Sequence, residues 1–64
     1  MYVNGQQKII QKEISIIEFL EKEGYDIHKV AVEKNGSIVP KKDFKTEMLS
    51  DSDKIEIVSF VGGG

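Results

Sequence analysis

Three glycines, Gly62, Gly63 and Gly64, close a sequence of 64 residues, and their type and place could do chemistry. A chain end offers a carboxylate that a second protein can reach. Glycine has no Cβ, so a run of it threads a narrow channel in whatever backbone conformation the channel imposes. Three residues at about 3.3–3.6 Å each extend roughly 10 Å, enough to enter another protein's cleft. A free carboxylate does not react with nucleophiles until a nucleotide has converted it to an acyl adenylate. The motif GxxxxGK[ST] is absent, and so is any strand–glycine–helix junction that would cradle phosphates, so activation is expected from another protein. The plain alternative is an inert tail, since glycine-rich ends order poorly.

Other residues offer less. His28 has no second imidazole or carboxylate pair beside it and is expected at the surface, so no metal site is expected. Asp51 and Asp53 lack the remainder of a calcium-loop spacing and read as turn formers. Lys41, Lys42 and Lys45 form a modest basic cluster, expected to be solvated. Glu18, Glu21 and Glu23 fall on the outside of a helix and make no acid–base pair. Without cysteine there is neither disulfide nor zinc-thiolate site. A net charge of −2 opposes a nucleic-acid module. No run of about 18 apolar residues and no charged-then-apolar leader occurs, so neither membrane nor export is expected and the location is expected to be cytoplasmic. A core this small rarely walls off a catalytic pocket, which favours a carrier or binding module over an enzyme.

The elements that must position the tail follow from turn and helix signals. Asn4-Gly5 between Met1–Val3 and Gln6–Ile10 suits a type I′ hairpin, and Asn35-Gly36 repeats the signal between Val30–Glu33 and Ile38-Val39. Pro40 ends that return strand. Ser15 and Glu18 form a capping box, with Ile14 and Phe19 placed as a hydrophobic staple. Ile16, Ile17, Phe19 and Leu20 share one helical face, and Gly24 suits the left-handed stop. Phe44, Met48 and Leu49 are expected as core anchors in an irregular stretch before the Ser50–Asp53 turn. A strand from Lys54 to Val61 completes the chain, able to pair parallel to the first. The result is an α+β fold, a β-grasp of the ubiquitin-like kind, with a mixed sheet of about four to five strands packed on one helix. The domain is expected over residues 1–61 and the tail over 62–64.

Alternation then gives a candidate docking face. With Met1, Val3, Val30, Val32, Ile55 and Ile57 inward, the residues Tyr2, Ala31, Val58 and Phe60 point outward as an apolar patch beside the tail. Gly62 is grouped with this face, as a spacer to the reacting pair. The alternative has Phe60 folded over the rim of the sheet, or the patch covered in an oligomer.

The string Val58-Ser59-Phe60-Val61-Gly62-Gly63-Gly64, preceded by Asp51-Ser52-Asp53-Lys54-Ile55-Glu56-Ile57 and by Asn35-Gly36-Ser37-Ile38-Val39-Pro40, resembles the ThiS family of small sulfur carriers of thiamine biosynthesis. The likeness runs over nearly the whole length. It implies that a ThiF-like adenylyltransferase uses Mg-ATP to adenylate the carboxylate of Gly64, with Gly63 as its required neighbour. It implies further that sulfur displaces AMP to give a thiocarboxylate and that a ThiG-like thiazole synthase accepts the sulfur. The chain itself would bind no cofactor. Ser52 stands where the family often has glycine, Lys41 where arginine is usual, and Phe44 where a larger aromatic is usual. A carrier for molybdopterin or tRNA thiolation, or a β-grasp interaction module with an inert tail, are the competing readings.

Overall fold

The computed structural model describes residues 1–60. Val61, expected to end both the last strand and the domain, and Gly62, Gly63 and Gly64 lie outside the described residues.

Both Asn-Gly pairs form the expected turns. Asn4 and Gly5 take φ of 52° and 80°, and Asn35 and Gly36 take 53° and 88°, the doubly positive pattern of a type I′ turn. The first joins β1 (Tyr2–Val3) to β2 (Gln6–Gln7). This second strand is shorter than Gln6–Ile10, because Ile10 N–H turns away to Asp51 Oδ1 at 3.2 Å. The short strand β3 (Ile14–Ser15) leads into α1 (Ile16–Glu23). Ser15 Oγ accepts from Glu18 N–H at 3.2 Å, and the Glu18 carboxylate accepts from Ser15 N–H, so the capping box is closed from both sides. Gly24 ends the helix at φ 84° and donates to the Glu21 carbonyl. Its Cβ-free backbone meets the left-handed stop at little cost.

A 3-10 turn over Ile27–Lys29 leads to β4 (Val30–Lys34), which turns at Asn35-Gly36 into β5 (Ser37–Val39). After Pro40 the chain makes a second 3-10 turn, Lys41–Asp43, then β6 (Met48–Leu49) and the final strand β7 (Lys54–Ser59). The main sheet has the order β2-β1-β7-β4-β5. In it β7 runs parallel to β1, with Tyr2 opposite Lys54, and antiparallel to β4. This is the mixed five-stranded sheet on one helix that the element order implied.

One inner face of the sheet meets the helix. Ile16, Phe19 and Leu20 of α1 join Met1, Val3, Val30, Val32, Val39, Ile55 and Ile57 in one core, together with Phe44 and Leu49. Ile17 is only partly buried, at the edge of that core. Met48 departs from expectation. In the β3–β6 ribbon it pairs with Ser15 while Leu49 pairs with Ile14. Adjacent strand residues point to opposite faces, so burying Leu49 completely leaves Met48 41% exposed.

The two turn asparagines do more than turn. Asn4 Oδ1 accepts from Ile57 N–H at 2.7 Å while its Nδ2 donates to Ile57 carbonyl at 3.2 Å. Asn35 Oδ1 accepts from Lys54 N–H at 2.9 Å. Each hairpin thus hooks its asparagine onto the backbone of β7, the strand that carries the chain toward Gly64.

Candidate functional site: the outer sheet face and the end of the last strand

Among the described residues, no layer covers the outer face of the sheet. Register fixes what it displays. Ala31 lies opposite Val58, both exposed, at the end of β7 nearer to Gly64. One step away, Ile38, Glu33 and Glu56 form a row across β5, β4 and β7. A further step away, Lys54 lies opposite Tyr2.

This arrangement corrects the expected patch. Ala31 and Val58 come together as the alternation required, and Tyr2 does point outward. Yet Tyr2 sits beside Lys54, four residues before Val58, or about 13 Å along the strand. The parallel register places it at the far end of the face, with the Glu33–Glu56 row between. Ile38, 72% exposed, takes its place as the second large apolar side chain of the face. The buried Val39 beside it carried that signal, since alternation turns its neighbour outward.

Glu33 and Glu56 are direct cross-strand partners of like charge. Neither is in an ion pair among the described residues. Like charges placed opposite one another destabilise a sheet, so this row is a local conflict in an otherwise consistent fold.

Phe60 stands at the rim, 37% exposed against 61% for Val58. Its N–H donates to Lys29 carbonyl at 2.9 Å. The Lys41 ammonium lies 5.6 Å from the centre of its ring and donates to His28 carbonyl at 3.0 Å. Lys41 is therefore engaged, not simply solvated as the basic run suggested. His28 is exposed, as expected, and its carbonyl is the part in use.

The opposite end of β7 is polar and closed. Asp53 Oδ2 accepts from Ser50 N–H at 2.8 Å and its Oδ1 from Asn35 Nδ2 at 2.9 Å. Burial works against the Asp53 carboxylate, but the Ser50 N–H, the Asn35 amide and the Lys34 ammonium outweigh it and hold its pKa below the ordinary value. Lys34 Nζ lies 2.8 Å from Glu47 Oε2 and donates to Met48 carbonyl at 2.8 Å. The Glu47 hydrogen bond raises the pKa of Lys34 against the opposing effect of desolvation. Asp51 instead reaches back to Ile10 N–H and to the Met1 amino group, which together lower its pKa. Ser52, where a glycine was the family habit, needs no positive φ, so its turn closes without one. No group of three or more histidine, cysteine or acidic side chains could hold a metal among the described residues, and no described helix is long and apolar enough to cross a membrane. The expected reacting pair, Gly63 and Gly64, and the spacer Gly62 lie outside the described residues.

Comparison with known proteins bears on the whole chain. Residues 1–64 match the model of the ThiS family. The fold superimposes on the crystal structure of a thiamine biosynthesis protein (ThiS) from Geobacter metallireducens with a TM-score of 0.84, at 27% identity, over 98% of this chain and 96% of that one. The sequence is 39% identical, over all of its 64 residues, to a thiazole synthase of Paramagnetospirillum magneticum, of which it spans 20%. It is also 36% identical over 62 residues to the uncharacterized protein ycf40 of Pyropia yezoensis, covering 87% of that protein. The chain thus spans about a fifth of the thiazole synthase it matches and nearly the full length of the smaller relative. A family match from the first residue to the last, on a fold shared with a solved ThiS, places this chain in the ThiS family.

Proposed function

We propose that this chain carries sulfur on the carboxylate of Gly64 and delivers it to a thiazole synthase. The observation that carries this reading over other sulfur-transfer pathways is the likeness to thiazole synthases. A segment like this whole chain makes up about a fifth of two such proteins, at 39% and 31% identity. A carrier segment and a synthase joined in one polypeptide hold sulfur donor and acceptor at high effective concentration. The same two parts as separate chains would have to meet by docking.

The chemistry has two stages, both on partners. A ThiF-like adenylyltransferase binds Mg-ATP, and the Gly64 carboxylate attacks the α-phosphorus, releasing pyrophosphate and leaving an acyl adenylate. A sulfide-level nucleophile then attacks the acyl carbon and expels AMP, giving the thiocarboxylate. The synthase passes the sulfur to its substrate, an oxygen from that substrate or from water takes its place on the acyl carbon, and the carboxylate returns. This chain supplies the reacting end, the missing side chains at Gly63 and Gly64 that a narrow channel requires, and a docking face. Ala31, Val58 and Phe60 form the apolar part of that face, with Ile38 at the β5 end of the Glu33–Glu56 row. Tyr2, distant from them, would meet a different part of any partner. Both partners are soluble enzymes in this reading, which sets the reaction in the cytoplasm.

The test is intact mass after incubation with Mg-ATP, sulfide and the adenylating partner. Replacing one carboxylate oxygen by sulfur adds about 16 Da, and C-terminal fragmentation should place it on Gly64. Adding a thiazole synthase should then reverse the shift. A stable thiocarboxylate that the synthase ignores would point to molybdopterin or tRNA thiolation. No shift, with the partner active on another carrier, would leave an interaction module.

A further inference from the structure

We propose that Lys41 is a positioning residue for transfer at Gly64, acting through the ring of Phe60. This rests on the carrier reading above. Three strand ends meet at one rim of the sheet. There β5 leaves through Pro40 and β4 enters after Lys29. The last strand, β7, ends beside them at Ser59. Lys41 is the side chain that ties them together. Its backbone follows β5, its ammonium donates to the His28 carbonyl 3.0 Å away at the entrance to β4, and it sits 5.6 Å from the centre of the Phe60 ring just past β7.

Phe60 is the last described residue and stands four positions before Gly64. Among the described residues its backbone makes one bond, from its N–H to Lys29 carbonyl at 2.9 Å. A backbone bond holds the main chain but leaves the ring free to turn. An ammonium over the ring face, itself anchored on a carbonyl, limits that freedom, because the ring quadrupole attracts the cation most strongly over its face. Pro40 contributes from behind. Its φ of −62° gives Lys41 a preset starting direction at the end of an edge strand. The same contact keeps Phe60, four residues before Gly64, at the edge of the Ala31–Val58 patch. A partner that grips the face then finds Phe60 already in a defined place, and less ordering is left to binding.

The proposal separates Lys41 from the ordinary surface lysines Lys42 and Lys45. A surface charge that merely attracts a partner would act whether or not the ring is present, whereas a bracket acts only through the ring.

The experiment uses the full chain with its adenylating partner, with pyrophosphate release followed at varied carrier concentration. Lys41→Met should raise the KM for the carrier about two- to five-fold, the span that a cation–π contact at an exposed site supports, with kcat little changed. Lys41→Arg keeps the cation and should restore the KM. In a Phe60→Leu background, Lys41→Met should add nothing, and hydrogen exchange at Phe60 N–H should quicken in Lys41→Met alone. An unchanged KM and unchanged exchange in Lys41→Met would overturn the proposal. So would an equal KM rise from Lys41→Met in the Phe60→Leu background, which would mean direct contact of Lys41 with the partner. Failure of the unaltered chain to react at all, with the partner active on another carrier, would instead overturn the carrier reading and this role with it.

Discussion

At Lys54, where β7 begins, the backbone N–H is bonded by the Asn35 side chain, whose amide also holds Asp53, whose carboxylate in turn takes the Ser50 N–H and lies 3.9 Å from the Lys34 ammonium. At Phe60, one residue past the end of the same strand, the described residues give one backbone bond and one cation over a ring. The start of β7 is a closed polar network around the buried Asp53 carboxylate, and the finish is an aromatic on an open rim. The two ends serve different requirements. A carrier must hold its fold through repeated docking, yet the reacting end must leave that fold and enter another protein. On the proposed role, stability is gathered at the start of β7, and the end nearer to Gly64 is held, among the described residues, by the contacts of Phe60.

Removing the reacting end should have the largest effect and separate the two ends cleanly. Deletion of Gly64 should abolish thiocarboxylate formation, measured by intact mass, while leaving the thermal midpoint of unfolding unchanged. A clear fall in that midpoint would mean that the end contributes to the fold and would break the contrast.

The converse experiment targets the start of β7. Asp53→Ala leaves the Ser50 N–H and the Asn35 amide without their acceptor, which should cost about 2 kcal/mol and lower Tm by about 10 °C in a chain of this size. The mass shift on Gly64 should still form at temperatures where the variant is folded. Loss of transfer in a folded Asp53→Ala chain would show that the two ends are coupled.

Most of the fold was legible because its strongest signals are local. The two Asn-Gly pairs, the Ser15–Glu18 box and Gly24 each fix a few torsions by short-range chemistry, and the structure has all of them. The β3–β6 ribbon was not legible, since two residues on each side carry no period, and so Met48 was expected in the core beside Leu49. Register was the second gap. Alternation told that Tyr2 faces outward, but only the parallel pairing with Lys54 tells how far it lies from Val58. Lys41 was missed for a similar reason: its partners, His28 and Phe60, are remote in sequence and brought close by the strand order β7-β4-β5.

Acid offers a milder way to probe the same network. The Asp53 carboxylate is held below its ordinary pKa in the fold, so its contribution is complete above the unfolded value of about 3.9 and is lost as pH falls through the lower folded value. Asp51, lowered by Ile10 N–H and the Met1 amino group, acts in the same direction. Urea midpoints measured from pH 6 down to pH 2 should therefore fall mainly below pH 4, and the fall should be shallower in Asp53→Ala. An identical slope in that variant would assign the acid sensitivity elsewhere.

The smallest effect sharpens the comparison most, because it concerns the outer face between the two ends. Glu33 and Glu56 are opposed across β4 and β7 without a cation paired to either among the described residues. On the fold alone this pair is a defect, and Glu56→Gln should stabilise the chain by about 0.2–0.5 kcal/mol. If the row is kept for docking, the same change should slow association with the adenylating partner at low salt, and the difference should shrink as salt screens the carboxylates. Urea denaturation and stopped-flow association on one pair of proteins read both quantities. Greater stability with slower, salt-sensitive association would mark the acidic row as a cost that the fold carries for recognition. Greater stability with unchanged association would leave docking to Val58, Ala31 and Ile38, and lower stability would mean that the opposed carboxylates are not in conflict at all.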